Sequence, residues 1–592
     1  MKTNLKYLLV FAIIAILFSV QTSNSQVLWQ TMKAGNWNTS NLWQKSTDGG
    51  GTWVYAGTAY PNAVNDCIEF IGHAVVMNVS ATVTECWIAS TGSLTINSGC
   101  TLTMTSGSSG NQLKTEGVCT NNGTITLNTG IWTYIYNTFT NGGTLNNYSS
   151  GFSVTTDYST LYGAFTTSSG KTFSNSGTVT IASGCSFTNS GTYNNYISTT
   201  AGTLTISGGG TFTNNGTLAN KFSSTNCTIN VSGTFANSVD FTTYNGTINV
   251  NNGGTYKHMF TSTPGTIPTC TWNTGSTCEI AGYTCSAQLT TGLSQSFHHF
   301  KWNCTSCTCD MTFDLPATLT VNGDLTLAST GTYYSTGLPN RLNLGWSRSS
   351  TINVGGNMYV TGGYWYGNLG GYYTAFNVTG NFSQSGGYFV NATSNVSGNS
   401  ITVNGNFALS GTSKIDLNKS SSLYTVNLTV KGDFSLAAND TITSSYGSLI
   451  KFNKTGTQTY TNGGTFSGVI DYSVESGSIL NFASASTTLV NTNASSDFSV
   501  QSGGGMRILH ANGLSSTGCV QVGGTSTYST TAYYEYYTTG TQVTGTSLPT
   551  TVRKFTKSGS GTTTLSNSSL TISDSAKWTA GTQAREHRWT AW

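Results

Sequence analysis

The sequence predicts an all-β chain, a parallel β-helix or β-solenoid of about 20 coils. Three observations predict it: short strands that alternate apolar and polar residues, glycine pairs between them, and a repeat built of strands alone. Tandem β-sandwiches are the alternative, because hairpin sandwiches also space short strands regularly. Composition supports both: Tyr (30), Phe (26) and Trp (13) stand among many Thr, Val and Ile. Those residues favour strands and argue against the disorder that a charged fraction of only 7% would otherwise suggest.

From the N-terminus, residues 1–25 read as a signal peptide. Lys2 and Lys6 precede an apolar run from Tyr7 to Phe18, and Ser23 and Ser25 supply the small residues of a cleavage site. Nothing later has the length and apolarity of a membrane helix. A soluble mature chain without a transmembrane segment, secreted to the cell surface or beyond, is expected. Residues 26–110 form a Trp-rich capping or β region, with Gly35-Asn-Trp37, Leu42-Trp43 and Asp66-Cys-Ile-Glu-Phe-Ile-Gly-His73.

Residues 111–269 are a short-repeat solenoid. Thr124-Ile-Thr-Leu127 and Thr203-Leu-Thr-Ile206 are typical strands, and Gly-Thr followed by an apolar residue recurs at Gly123, Gly177, Gly191, Gly202, Gly216, Gly233, Gly246 and Gly254. Such glycines supply the positive dihedrals of tight corners. Residues 270–315 are a cysteine-rich insert. Across residues 316–575 the motif becomes Val-x-Gly-(Asn/Asp)-(Leu/Met/Phe), opening at Val321, Val354, Val378, Val403 and Val430, which by subtraction are 33, 24, 25 and 27 residues apart. One coil cannot bury its apolar face alone, so stacking should turn Leu, Ile, Val and Phe inward and leave Thr, Ser and Asn outside. Residues 576–592 abandon the repeat without a polar cap, and a longer natural C-terminus is expected.

The Gly-Asn-Trp opening, the Asp66–His73 strand, the Gly-(Asn/Asp)-Phe coils and Tyr534–Pro549 resemble large secreted β-solenoid repeat proteins of Bacteroidota. The resemblance implies export by the type IX route and a C-terminal sorting module. The sorting module is not found in this sequence.

No catalytic constellation is read from the residues. Asp324 and Asp433 recur in register, but Asn357, Asn381 and Asn406 occupy the same motif position, so tolerance of turn geometry explains them better than acid–base chemistry. Asp310 with Asp314, and Asp66 with Glu69, are isolated pairs whose spacing carries little information. Thr-x-Thr runs look like the threonine ladders of ice-binding solenoids, yet the uneven coil lengths argue against a matching plane. The net charge of +3, with no basic cluster, excludes a nucleic-acid partner.

The 13 cysteines of an exported chain point to disulfides, with Cys67, Cys86, Cys100, Cys119, Cys270, Cys278, Cys285, Cys304, Cys307 and Cys309 as candidates. Cys304-x-x-Cys307 near His298 and His299 also has zinc-knuckle spacing, but an oxidising compartment favours pairing over metal. No metal or other cofactor is expected. The aromatic cluster Tyr364, Trp365, Tyr366, Tyr372 and Tyr373 is the candidate glycan-stacking site, with Tyr533, Tyr534, Tyr536 and Tyr537 as a second cluster. The expected function is a non-enzymatic structural or adhesin-like protein contacting extracellular polysaccharide, matrix or other surface proteins. The alternative is a polysaccharide-active β-helix lyase or hydrolase, or its carbohydrate-binding region.

Overall fold

The computed structural model describes residues 26–106, 112–148, 151–154, 163–197, 200–222, 225–241, 246–285, 291–313, 315–332, 340–345, 347–367, 371–393, 396–419, 424–579 and 588–591. The signal-peptide reading and Asp314 fall outside them. The chain is an all-β parallel solenoid of roughly 18–20 coils, and no helix occurs among the described residues. It divides into two units, Met1–Tyr256 and Lys257–Trp592. No described helix is long and apolar enough to cross a membrane.

In the first unit a coil is three four-residue strands, one on each face, such as Gln112–Thr115, Val118–Asn121 and Thr124–Leu127. Alternation buries the second and fourth residue of each strand, which is the period-two pattern read from the sequence. Successive coils pair in parallel and in register, so Thr101, Thr124, Thr144, Thr172, Thr192 and Thr217 share one outer row. The inner row of another face is a phenyl column, Phe139, Phe165, Phe187, Phe212 and Phe235, with centroids 4.7 to 5.2 Å apart. Each such ring contributes about 1.5–3 kcal/mol of burial, available only because the next coil covers it. The stack begins on Val27–Thr31, which pairs antiparallel with Trp43–Ser46 and parallel with Asp66–Ile71.

Two expectations need correction. Asparagines are not all outside: Asn147, Asn175, Asn195 and Asn220 are fully buried at strand ends and form a ladder, each Nδ2 donating to the next Oδ1 at 2.9 Å. A second ladder joins Asn189, Asn214 and Asn237 at 2.7 and 2.8 Å. A carboxamide both donates and accepts, so within such a column the amide of one rung meets the oxygen of the next.

The Gly-Thr glycines also have a different reason from the expected one. Gly123, Gly191, Gly202, Gly216, Gly233, Gly246 and Gly254 are absent from the residues with positive φ. A Cβ on any of them would instead lie 2.1 to 2.5 Å from a carbonyl oxygen one coil earlier. Close approach of stacked corners, not handedness, excludes side chains there.

In the second unit Val321, Val354, Val378, Val403 and Val430 stack at the end of one face. Leu325, Met358, Phe382, Phe407 and Phe434 stack at the start of the next. The Asn or Asp between them has negative φ, so turn tolerance is not its reason. Its side-chain oxygen accepts the backbone N–H of the equivalent residue one coil later: Asp324 from Asn357 at 2.7 Å, Asn357 from Asn381 at 2.9 Å, and Asn381 from Asn406 at 2.7 Å. Asn406 then accepts from Asp433 at 2.8 Å. The long strands Thr441–Phe452 and Thr465–Val474 carry two faces through a shared bend.

Candidate functional site

In the second unit a groove of about 530 Å³ crosses the outer surface of one face. Two outward rows build it. One runs Thr457, Ile479, Gly505, Tyr533, Lys554, and the other runs Thr459, Asn481, Arg507, Glu535, Thr556. Gly505 leaves a notch in the first row, and Tyr533 leans into it: a Cβ on Gly505 would lie 3.2 Å from Tyr533 Cδ1.

Arg507 and Glu535 face each other on adjacent coils. Arg507 Nε donates to Glu535 Oε2 at 2.8 Å and Nη2 to Oε1 at 3.3 Å, while the guanidinium stacks 4.6 Å from the centroid of Tyr537. Glu535 also accepts from Tyr533 Oη at 2.8 Å and Ser558 Oγ at 2.5 Å. Burial pushes its carboxyl upward, but the hydrogen bonds from Arg507, Ser558 and Tyr533 prevail and hold its pKa below the usual glutamate value. Burial raises the Tyr533 phenol to about 12. Arg553 and Lys554 complete the lining and share Asp574 outside it, at 3.1 and 3.8 Å. The lining thus presents three cationic side chains against one carboxylate, with the central guanidinium immobilised on two sides.

The first aromatic cluster lies elsewhere in the unit and is partly core. Trp365 is fully buried and its Nε1 donates to Gly362 O, and Tyr366 is 4% exposed. Tyr364 is half-buried and stacks on Tyr388, one coil later, at 4.6 Å and 21°. Lys414 caps that stack 4.8 Å over Tyr388. Tyr372 is exposed, and Tyr373 packs against Gly398.

Beside the stack Asp416 is 3% exposed, with Oδ2 accepting from Tyr388 Oη at 3.0 Å and Oδ1 without a partner among the described residues. Burial raises its pKa despite the opposing pull of Tyr388, Lys419 and Lys414. Sequence reasoning passes over Tyr388, Lys414 and Asp416: Tyr364 and Tyr388 each lie ten residues past their corner valine, but Lys414 lies eleven past Val403, and only the strand register brings it onto their row.

Of the cysteine candidates, Cys285 and Cys309 form a disulfide with Cα atoms 5.3 Å apart. Cys67, Cys86, Cys100, Cys119, Cys270, Cys278, Cys304 and Cys307 carry free thiols. Register explains the early ones: Cys67 faces Glu85, Cys86 faces Ile68 and Leu113, and Cys119 faces Leu94 and Phe139, so none shares a rung with another cysteine. Burial raises the thiol of Cys119, and that of Cys304, to about 12. Among the described residues no group of three or more His, Cys, Asp or Glu side chains is placed to hold a metal ion. His299 Nδ1 accepts the Asp324 N–H at 2.9 Å. Asp310 is ion-paired to Arg341, and Asp66 caps the Asn62 and Ala63 N–H groups at 2.7 and 2.8 Å.

Fold and surface together define a large parallel β-solenoid repeat scaffold with an outward polar groove. No family model matches the chain, and no curated protein matches it in sequence.

Proposed function

We propose that the chain is a secreted or cell-surface, adhesin-like structural protein that holds extracellular polysaccharide, acidic polymers above all, in the groove around Arg507. The observation that carries this reading is the lining of Arg507, Arg553 and Lys554 against the single carboxylate Glu535, beside the flat ring of Tyr533. Donors already immobilised by Glu535 and Tyr537 lose little freedom when a carboxylated sugar docks, and Arg is suited to carboxylate recognition. The tyrosines at 364 and 372 offer a second polar-aromatic contact. The resemblance to exported repeat proteins of Bacteroidota supports secretion, with the type IX route as its mechanism.

The competing reading, a polysaccharide-active β-helix enzyme, rests on Asp416 and its contact with Tyr388. Retention of the full chain on immobilised polygalacturonate, with release of reducing ends followed in parallel, separates the two. Retention without cleavage is expected. The double variant Arg553→Ala, Lys554→Ala, changed at half-exposed positions, is expected to bind about tenfold more weakly, with the loss shrinking at high salt. Wild-type retention by that variant overturns the reading, and cleavage abolished by Asp416→Asn establishes the enzyme instead.

A further inference from the structure

The first unit carries a second groove, of about 480 Å³, at the start of its stack, and it differs in chemistry from the Arg507 groove. Its floor is Gln30 and Glu69, on the neighbouring strands Val27–Thr31 and Asp66–Ile71. One wall is Trp87, on the next strand, Glu85–Ile88, one residue past the Ile68–Cys86 rung. The other wall is the loop between Trp43–Ser46 and Val54–Tyr55, which brings Gly49, Gly50 and Trp53 over the sheet, with Gly50 against Leu28.

That loop is built rather than loose. Ser46 Oγ donates to Asp48 Oδ1 at 2.6 Å and accepts the Gly50 N–H at 2.9 Å, and Asp48 Oδ1 accepts the Thr52 N–H at 2.8 Å. These bonds, from Ser46 first and then Thr52, hold the Asp48 carboxyl at about 2. They fix the residue next to Trp53. Gly49 and Gly50 both have positive φ, at 74° and 92°, so the loop edge facing the groove carries no side chain at either position.

Trp87 is fixed as well. Lys114 Nζ sits 4.5 Å over its ring and is held by Glu116 at 2.5 Å, and Lys114 is not part of the lining. The groove is thus bounded by two indoles, with one carboxylate, one carboxamide and open backbone as its polar groups. No lysine or arginine among the described residues lines it. Its size falls in the range of ligand clefts, roughly 300–1,000 Å³.

We infer that this groove binds an uncharged glycan, a chain of neutral hexoses. Pyranose rings present C–H faces that lie flat on indoles, and their hydroxyls match Gln30, Glu69 and the bare backbone of Gly49 and Gly50. An acidic sugar would meet Glu69, and the cation over Trp87, Lys114, is already paired with Glu116. The site is independent of the acidic-polymer groove, and the chain then carries one site for each class of polysaccharide.

Titration calorimetry of the full chain with cellohexaose, laminarihexaose and mannohexaose tests the inference. Binding of at least one is expected, about tenfold weaker in Trp53→Ala and in Trp87→Ala, largely kept in Trp53→Phe, and unchanged in the Arg553→Ala, Lys554→Ala variant. Retention on polygalacturonate should be the same in both tryptophan variants and wild type. Trp53 lies in a surface loop, so its variant decides the matter should Trp87→Ala fail to fold. No binding of any of the three oligosaccharides by wild type, or wild-type binding by Trp53→Ala, overturns the inference. Neither result bears on the polygalacturonate reading.

Discussion

The backbone N–H of Asn381 donates to the side-chain oxygen of Asn357, one coil earlier, at 2.9 Å. The same bond recurs from Asp324 to Asp433, so the corner of each coil is tied to the next by a side chain that points along the stack. Neither asparagine is needed for its turn preference, because both have ordinary negative φ.

Asn381→Ala removes the acceptor of the Asn406 N–H. A loss of about 1 kcal/mol is expected in denaturant unfolding. Asn381→Asp should be nearly neutral, since Asp already serves at 324 and 433. Equal stability of the alanine variant and wild type would show that the ladder contributes nothing.

Glycine positions should split by mechanism. Gly216→Ala places a Cβ 2.1 Å from Gly191 O and requires the stacked corners to part, whereas Gly253 has φ +76° with open space around it. The first variant is expected to cost several kcal/mol or to prevent folding, and the second only about 1 kcal/mol. Comparable melting temperatures for the two contradict close approach as the reason.

Asp416 gives a pH dependence of defined sign. Its folded pKa is raised by burial, so the folded state binds a proton that the unfolded state releases near pH 3.9. Stability is therefore lost as pH rises from about 4 through the raised folded value. Asp416→Asn keeps an acceptor for Tyr388 and removes that loss. It should be more stable than wild type at pH 7, by on the order of 1 kcal/mol, and indistinguishable at pH 3. A destabilised Asn variant at pH 7 would reverse the sign.

Thiol counting checks the disulfide assignment. With Cys285 and Cys309 paired, the unfolded, unreduced chain should release eleven titratable thiols, and the folded chain far fewer, because most of them are buried with raised pKa. Cys285→Ser should cost about 3 kcal/mol, given its 24-residue separation from Cys309. A count of nine or fewer in the unfolded chain would mean that further bridges form.

Local pattern made the strands legible. Thr203-Leu-Thr-Ile206 is a strand with Leu204 and Ile206 buried, as alternation demands, and the Val-x-Gly corners fall on one edge of the stack. What alternation cannot rank is a polar residue in an inward position. Asn195 and Asn220 look like outer residues until a neighbouring coil supplies an identical partner. The grooves were hidden for a related reason: Arg507 meets Glu535, and Trp53 and Trp87 come to line one groove, only once register and the 46–53 loop are known. Thr-rich outer rows such as Thr101 and Thr124, by contrast, follow from strand propensity alone.

Coils stacked in register underlie every contact described above, and an experimental density map of the chain tests that stacking most directly. It should show parallel rungs about 4.8 Å apart, with Phe139, Phe165, Phe187 and Phe212 in one internal column. Helices, or antiparallel hairpins packed as separate sandwiches with those rings in different cores, would contradict it.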